Sequence, residues 1–116
     1  MTRNPAKAAC YVRSGAPNHM AITHQILHCR AEAAFDGYVI PDEYCFVADG
    51  VSGLDRNPAA WQRLLEHVQA DGGSPFRHLY VTEPSRLTRD EDPRRIDYLM
   101  ALLEDRGVRV HHGMRR

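Results

Sequence analysis

The spacing of hydrophobic and polar positions changes several times along the chain, dividing it into alternating extended and helical blocks. Ala8-Ala9-Cys10-Tyr11-Val12 is an unbroken apolar run of the length of a strand buried on both faces. Ser14-Gly15-Ala16-Pro17-Asn18 interrupts it as a loop. Ile22, Ile26, Cys29 and Ala33 then recur at steps of four, three and four, which predicts a helix with one apolar face. Asp36-Gly37 closes that helix, and Tyr44-Cys45-Phe46-Val47-Ala48 reads as a second strand. The residues from Asp49 to Arg56 form a polar, glycine-containing loop, and Asn57-Pro58 supplies a cap residue followed by proline at a first helical position.

Trp61, Leu64, Leu65 and Val68 repeat at i, i+3, i+4 and i+7 until the Asp71-Gly72-Gly73-Ser74-Pro75 cluster ends the helix. His78-Leu79-Tyr80-Val81-Thr82 is a third strand, followed by a loop through Arg89. Asp92-Pro93 opens another helix carrying Ile96, Leu99, Met100 and Leu103, with Gly107 as its C-cap and Val108-Arg109-Val110-His111 as a fourth strand. Strands separated by helices of about four turns predict βαβ units and a mainly parallel sheet, hence the α/β class.

At 116 residues the chain is long enough for one domain and too short for two ordinary ones. A hydrophobic fraction of 43% and a charged fraction of 26% exclude wholesale disorder. Fifteen Lys and Arg balance fifteen Asp and Glu, so whole-chain charge gives no support to nucleic-acid binding, which would have to come from local placement. No apolar run approaches the ~20 residues of a membrane span. Cys10, Cys29 and Cys45 are odd in number and lack CxxC spacing, which reads as reduced thiols in a cytoplasmic protein. His24 and His28 stand four apart on a predicted helix, but no third ligand and no HExxH pattern accompany them, so no metal is expected.

In open α/β sheets, chemistry gathers where loops leave the carboxyl ends of strands. The loops expected to begin at Arg13, Asp49 and Glu83 bring Arg13, Arg56, Arg86 and Arg89 together with several hydroxyls. Converging guanidiniums suit an anion with planar or tetrahedral oxygens, because each offers a rigid fork of donors. A hydroxyl among them is apt for phosphoryl transfer, with serine attacking phosphorus while the cations stabilise the equatorial oxygens.

These residues resemble the catalytic domain of the serine recombinases, the resolvases and invertases. The family's opening strand reads Tyr-x-Arg-x-Ser, and this chain has Tyr11-Val12-Arg13-Ser14-Gly15. Gln25 matches a glutamine of the family's first helix, and the stretch from Asp49 to Arg56 is similar to its Asp-x-x-x-Ser-Gly-x-x-Asp-Arg loop. Ser85-Arg86-Leu87-Thr88-Arg89 matches Asp-Arg-Leu-x-Arg, and the resemblance spans roughly residues 8 to 112. It implies a three-layer, Rossmann-like fold with a sheet of four to five strands. It also implies site-specific DNA recombination or integration without metal or cofactor, through a phosphoserine link to a DNA 5′ end. On this resemblance Ser14, Arg13, Arg86 and Arg89 are catalytic, while Arg56, Gln25, Tyr11 and Ser85 contact the DNA phosphate.

The chain departs from the family pattern in three ways. Counting from Tyr11 and Arg13 puts Gly15, not Ser14, at the nucleophile position, and a one-residue slip at a strand end turns a side chain to the opposite face. Ser85 stands where the family often has aspartate. The 116 residues are expected to form a single resolvase-like catalytic domain lacking the family's long dimerisation helix and C-terminal DNA-binding domain. The expected partners are DNA, held weakly by this chain alone, and further copies forming a dimer or tetramer in a full-length context. The competing expectation keeps the fold without the chemistry, as a non-catalytic protein-interaction module. A flavodoxin-like domain binding a small phosphorylated ligand is a third reading, disfavoured because no loop is a GxGxxG or a P-loop.

Overall fold

In the computed structural model, residues 6–14, 19–49, 59–82 and 93–111 are described. The elements run β1 (Ala6–Lys7), β2 (Ala9–Ser14), α1 (His19–Phe35), β3 (Tyr38–Val39), a 3₁₀ turn (Asp42–Tyr44), β4 (Cys45–Asp49), α2 (Ala59–Val68), β5 (His78–Tyr80), α3 (Pro93–Asp105) and β6 (Arg109–His111). The four longer strands make one parallel sheet in the order β4-β2-β5-β6. This meets the expectation of an α/β domain with a parallel sheet of four to five strands flanked by helices.

The chain steps from β2 to one edge of the sheet at β4, then moves the other way through β5 to β6. Crossovers between parallel strands are right-handed almost without exception, so reversing the direction of travel changes the face on which the connecting helix lies. Accordingly α1 covers one face, where Ile22, Cys29 and Ala33 pack with Ala8, Cys10, Val12, Ile40 and Tyr80. Helices α2 and α3 cover the other, where Trp61, Leu64, Val68 and Leu103 pack with Tyr11, Phe46, Leu79 and Val110. The strand period of two divides β2 accordingly, Tyr11 facing one layer and Cys10 and Val12 facing the other.

Helix α1 also carries Met20, Leu27 and Phe35 on its outer surface, all exposed, so it is apolar on both sides. Its C-terminal turn passes into the two-residue strand β3, which pairs in parallel with β1 through Ala6–Tyr38 and Lys7–Val39. Neither of these short strands, nor the 3₁₀ turn, has a periodic signature in the sequence. At the end of α3, Gly107 adopts φ +83, its N–H donates to the Glu104 carbonyl at 2.9 Å, and the Val108 N–H reaches the Leu103 carbonyl at 2.9 Å. That geometry is the left-handed helix stop expected of a C-cap glycine.

Two expectations are corrected. Arg13 and Ser14 do not open a loop; they are the last two residues of β2, in register with Ala48 and Asp49 of β4. The apolar run ends at Val12, but β4 continues alongside, so backbone pairing rather than side-chain hydrophobicity sets the strand end. Conversely, β5 stops at Tyr80, shorter than the apolar pattern suggested. The Val81 N–H nevertheless still donates to the His111 carbonyl at 2.9 Å.

Candidate functional site

The sheet order places the point where the chain reverses its direction of travel across the sheet between β2 and β5. In open α/β sheets the ligand crevice lies outside the carboxyl ends of the strands at this switch point, because the loops there diverge to opposite faces. In this chain pairing is lost early on one side of that point. Strand β5 accompanies β2 only at Ala9–Leu79 and Cys10–Tyr80, whereas β4 accompanies it through to Ser14. Among the described residues, the last residues of β2 therefore have no strand neighbour on the β5 side.

Gln25, from α1, takes the place of that neighbour. The Arg13 N–H donates to Gln25 Oε1 at 3.2 Å, and Gln25 Nε2 donates to the Arg13 carbonyl at 2.9 Å. A primary carboxamide has the same donor and acceptor pair as a peptide unit, so one side chain satisfies both backbone groups that β5 leaves behind. Gln25 is 8% exposed and Arg13 is 3% exposed, the two buried polar residues among those described. Arg13 thus brings a guanidinium into the packed end of the sheet, at a backbone position fixed from both sides.

Tyr11 is fully buried, its ring edge-on to Trp61 with centroids 5.9 Å apart, and it forms part of the floor beneath the strand end. Ser14 closes the strand and is half-buried. The structure thus brings Tyr11, Arg13, Ser14 and Gln25 to one end of β2. Arg56, Ser85, Arg86 and Arg89, expected on the two neighbouring loops, lie outside the described residues. A cavity of about 330 Å³ lies at the opposite, amino-terminal end of β5, lined by Lys7, Tyr38, Phe76 and His78 among others. It is remote from the strand ends where α/β chemistry gathers, and the switch point is the stronger candidate.

Two further groupings went unnoticed in the sequence. His78 Nδ1 and His111 Nε2 are 2.8 Å apart, with Tyr38 stacked on His78 and Tyr80 stacked on His111. Burial, then the charge of Arg109, holds His78 below its ordinary range, against a smaller opposing effect of Asp36. Cys10, Cys29 and Cys45 also converge on the α1 face of the sheet. Reading strand register, rather than searching for CxxC spacing, would have found them. Among the described residues no group of three or more His, Cys, Asp and Glu is placed to hold a metal ion. No described helix is long and apolar enough to cross a membrane.

Residues 8–113 match the family model of the resolvase N-terminal domain. The fold is similar to the C-terminal catalytic domain of ISC1926 TnpA, an IS607-like serine recombinase, with a TM-score of 0.75 and 21% identity, covering 95% of this chain and 71% of that one. It is also similar to the N-terminal catalytic domain of TP901-1 integrase, with a TM-score of 0.74 and 21% identity, covering 91% of this chain and 75% of that one. No curated protein matches the sequence.

Proposed function

The chain belongs to the resolvase N-terminal domain family, and from that premise we propose that it is a serine-recombinase catalytic domain that cleaves and rejoins DNA through a phosphoserine intermediate. Ser14 Oγ attacks a DNA phosphorus, forming the Oγ–P bond as the bond to the 3′ oxygen breaks. The serine proton leaves with the 3′ hydroxyl, and reversal of the same step on a new 3′ hydroxyl rejoins the strand. Arg13, Arg56, Arg86 and Arg89 stabilise the charge that grows on the equatorial oxygens. Ser85 contacts the same phosphate on this reading. Tyr11 and Gln25 act on this reading by holding the end of β2, not by touching phosphate, because one is packed against Trp61 and the other is engaged by the Arg13 backbone. DNA is the partner, and further copies of the chain assemble around paired sites.

The observation that supports the reading is the clamped strand end at the switch point, where Arg13 and Ser14 are the last two residues of β2 and Gln25 holds the Arg13 backbone. The test is covalent trapping on a pool of nicked duplex oligonucleotides, resolved on a denaturing gel and mapped by mass spectrometry. An adduct on Ser14 through a DNA 5′ phosphate, lost in Ser14→Ala, is the expected result. Because half-exposed positions of this kind tolerate truncation within about 0.5 kcal/mol, the variant should remain folded. An adduct that persists in Ser14→Ala would overturn the assignment of the nucleophile. The absence of any adduct would favour the non-catalytic interaction module.

A further inference from the structure

The three cysteines are ordered across the sheet. Cys10 on β2 and Cys45 on β4 are register partners on adjacent parallel strands, and both face α1. Neighbouring strands run about 4.7–4.9 Å apart, inside the ~4.4–6.8 Å between Cα atoms that a disulfide accepts. Cys29, on α1, lies to the other side of Cys10. Its thiol donates to the Tyr80 carbonyl at 3.5 Å, on β5, two strands away from Cys45.

The surroundings of the two partners differ. Cys10 is fully buried, whereas Cys45 is half-buried at the edge strand. The Arg30 guanidinium reaches Cys45 from α1, with Nη2 3.6 Å from Sγ. Arg30 is itself fixed by Nε donating to the Ile40 carbonyl at 3.1 Å and by Nη2 meeting Asp42 Oδ1 at 2.6 Å. In its neutral form Cys45 donates to the Pro41 carbonyl at 3.6 Å. Hydrogen bonds with Cys29 and then Cys45, with burial, push the Cys10 thiol up. Cys45 moves the other way, to about 7: the hydrogen bond from Cys10 and the charge of Arg30 outweigh burial and the opposing charge of Asp42. The guanidinium beside it thus favours the thiolate of half-buried Cys45 near neutral pH, while its register partner Cys10 is held protonated.

We propose that Cys45 is a site of oxidation by hydroperoxides and that Cys10 resolves the product into a Cys10–Cys45 cross-strand disulfide. In the first step the Cys45 thiolate attacks the peroxide, the O–O bond breaks, and the products are Cys45 sulfenic acid and hydroxide (or the alkoxide of an organic hydroperoxide). In the second, the Cys10 sulfur displaces the sulfenic oxygen, which leaves as water carrying the Cys10 proton. Two electrons pass in total to the peroxide. Cys29 takes no part, because Cys10 stands between it and Cys45.

Tryptic cleavage after Lys7, Arg13, Arg30 and Arg56 leaves one cysteine in each of the peptides 8–13, 14–30 and 31–56, so the products can be read directly. The reduced full chain, treated with stoichiometric hydrogen peroxide, is expected to lose two thiols and link peptide 8–13 to peptide 31–56. The yield should not change with protein concentration, and Cys29→Ala should give the same product. Cys10→Ser should stop at the sulfenic acid, trapped by dimedone on peptide 31–56. In the unmodified sequence, iodoacetamide should label Cys45 with a pH midpoint near 7. Weighing thiolate fraction against the lower intrinsic nucleophilicity of a more acidic thiol gives a rate at pH 7 on the order of 5-fold above that of an ordinary exposed cysteine. A link to peptide 14–30, a link only between chains, or a labelling midpoint at the ordinary thiol value would each overturn the proposal. The labelling profile needs no variant, so it decides even where a cysteine substitution fails to fold.

Discussion

Replacing Gln25 by methionine keeps the length and helix propensity of the side chain and removes both halves of its bond to Arg13. Two hydrogen bonds are lost, each of net worth about 1 kcal/mol, and the freed Arg13 N–H and carbonyl lie where β5 does not reach. An unsatisfied buried backbone group adds to that cost, so the variant should lose about 2–4 kcal/mol. Domains of this size hold on the order of 5–15 kcal/mol. The variant should therefore still fold but melt roughly 10 °C or more below the parent. Urea unfolding followed by far-UV circular dichroism and by the fluorescence of Trp61, the single tryptophan, measures this directly. Gln25→Glu provides the control. An ionised carboxylate can accept from the Arg13 N–H but repels its carbonyl, whereas a protonated carboxyl can donate to it. Its deficit should accordingly shrink as pH falls from 8 to 4.5. A methionine variant within ~0.5 kcal/mol of the parent would refute the idea that the carboxamide substitutes for a missing strand.

The His78–His111 pair should make stability depend on pH. Because the His78 value is lowered on folding, its contribution is fully present above the ordinary histidine value of 6.5 and is lost as pH falls through the folded value. The urea midpoint should thus drop between pH 8 and pH 5, and His78→Gln should flatten that slope; an unchanged slope would show that His78 does not carry the dependence. Gly107→Ala should cost about 1–2 kcal/mol through its left-handed backbone alone, since an added Cβ meets nothing closer than Arg77 Nη1 at 3.9 Å. Gly107→Asn should recover part of that loss in the same denaturation assay, and equal cost for both would argue against a backbone origin. With zero net charge, the purified chain should bind duplex DNA only non-specifically, with Kd on the order of 10⁻⁴ to 10⁻⁶ M at physiological salt and weakening as salt rises. Nanomolar binding in a fluorescence-anisotropy titration would contradict it.

The three helices and the four long strands were legible in the sequence because burial imposes a period, and Trp61, Leu64 and Val68 are buried as their spacing demands. What escaped the pattern depends on neighbours distant in sequence. Strands β1 and β3, two residues each, exist through their pairing with each other, and the 3₁₀ turn precedes β4 where Arg30 reaches across from α1. The end of β2 follows the same rule, since Arg13 and Ser14 are strand residues by virtue of β4 beside them and not by any apolar pattern. Gln25 was recognised as a motif residue, but its bond to Arg13 follows from where β5 stops, which no local signal encodes. The thiol cluster needed register, which aligns positions 10 and 45 across a strand pair.

The regularity of β2 up to Ser14 constrains the chemistry proposed for it. Alternation sets Arg13 on the same face as Tyr11, toward α2 and α3, and Ser14 on the same face as Cys10 and Val12, toward α1. No phosphate lying over one face of the sheet could touch both side chains, because the strand itself would intervene. A phosphate that meets the Ser14 hydroxyl and the Arg13 guanidinium together must sit beyond the strand end, where the two faces meet at the switch point. That placement also explains the Gln25 clamp. A ligand held on the axis of β2 bears on the last peptide units of the strand, and those units would fray without a partner on the β5 side. The one-residue offset between Ser14 and the family's nucleophile position then bears on how the serine reaches a phosphate beyond that end, not only on which face it occupies.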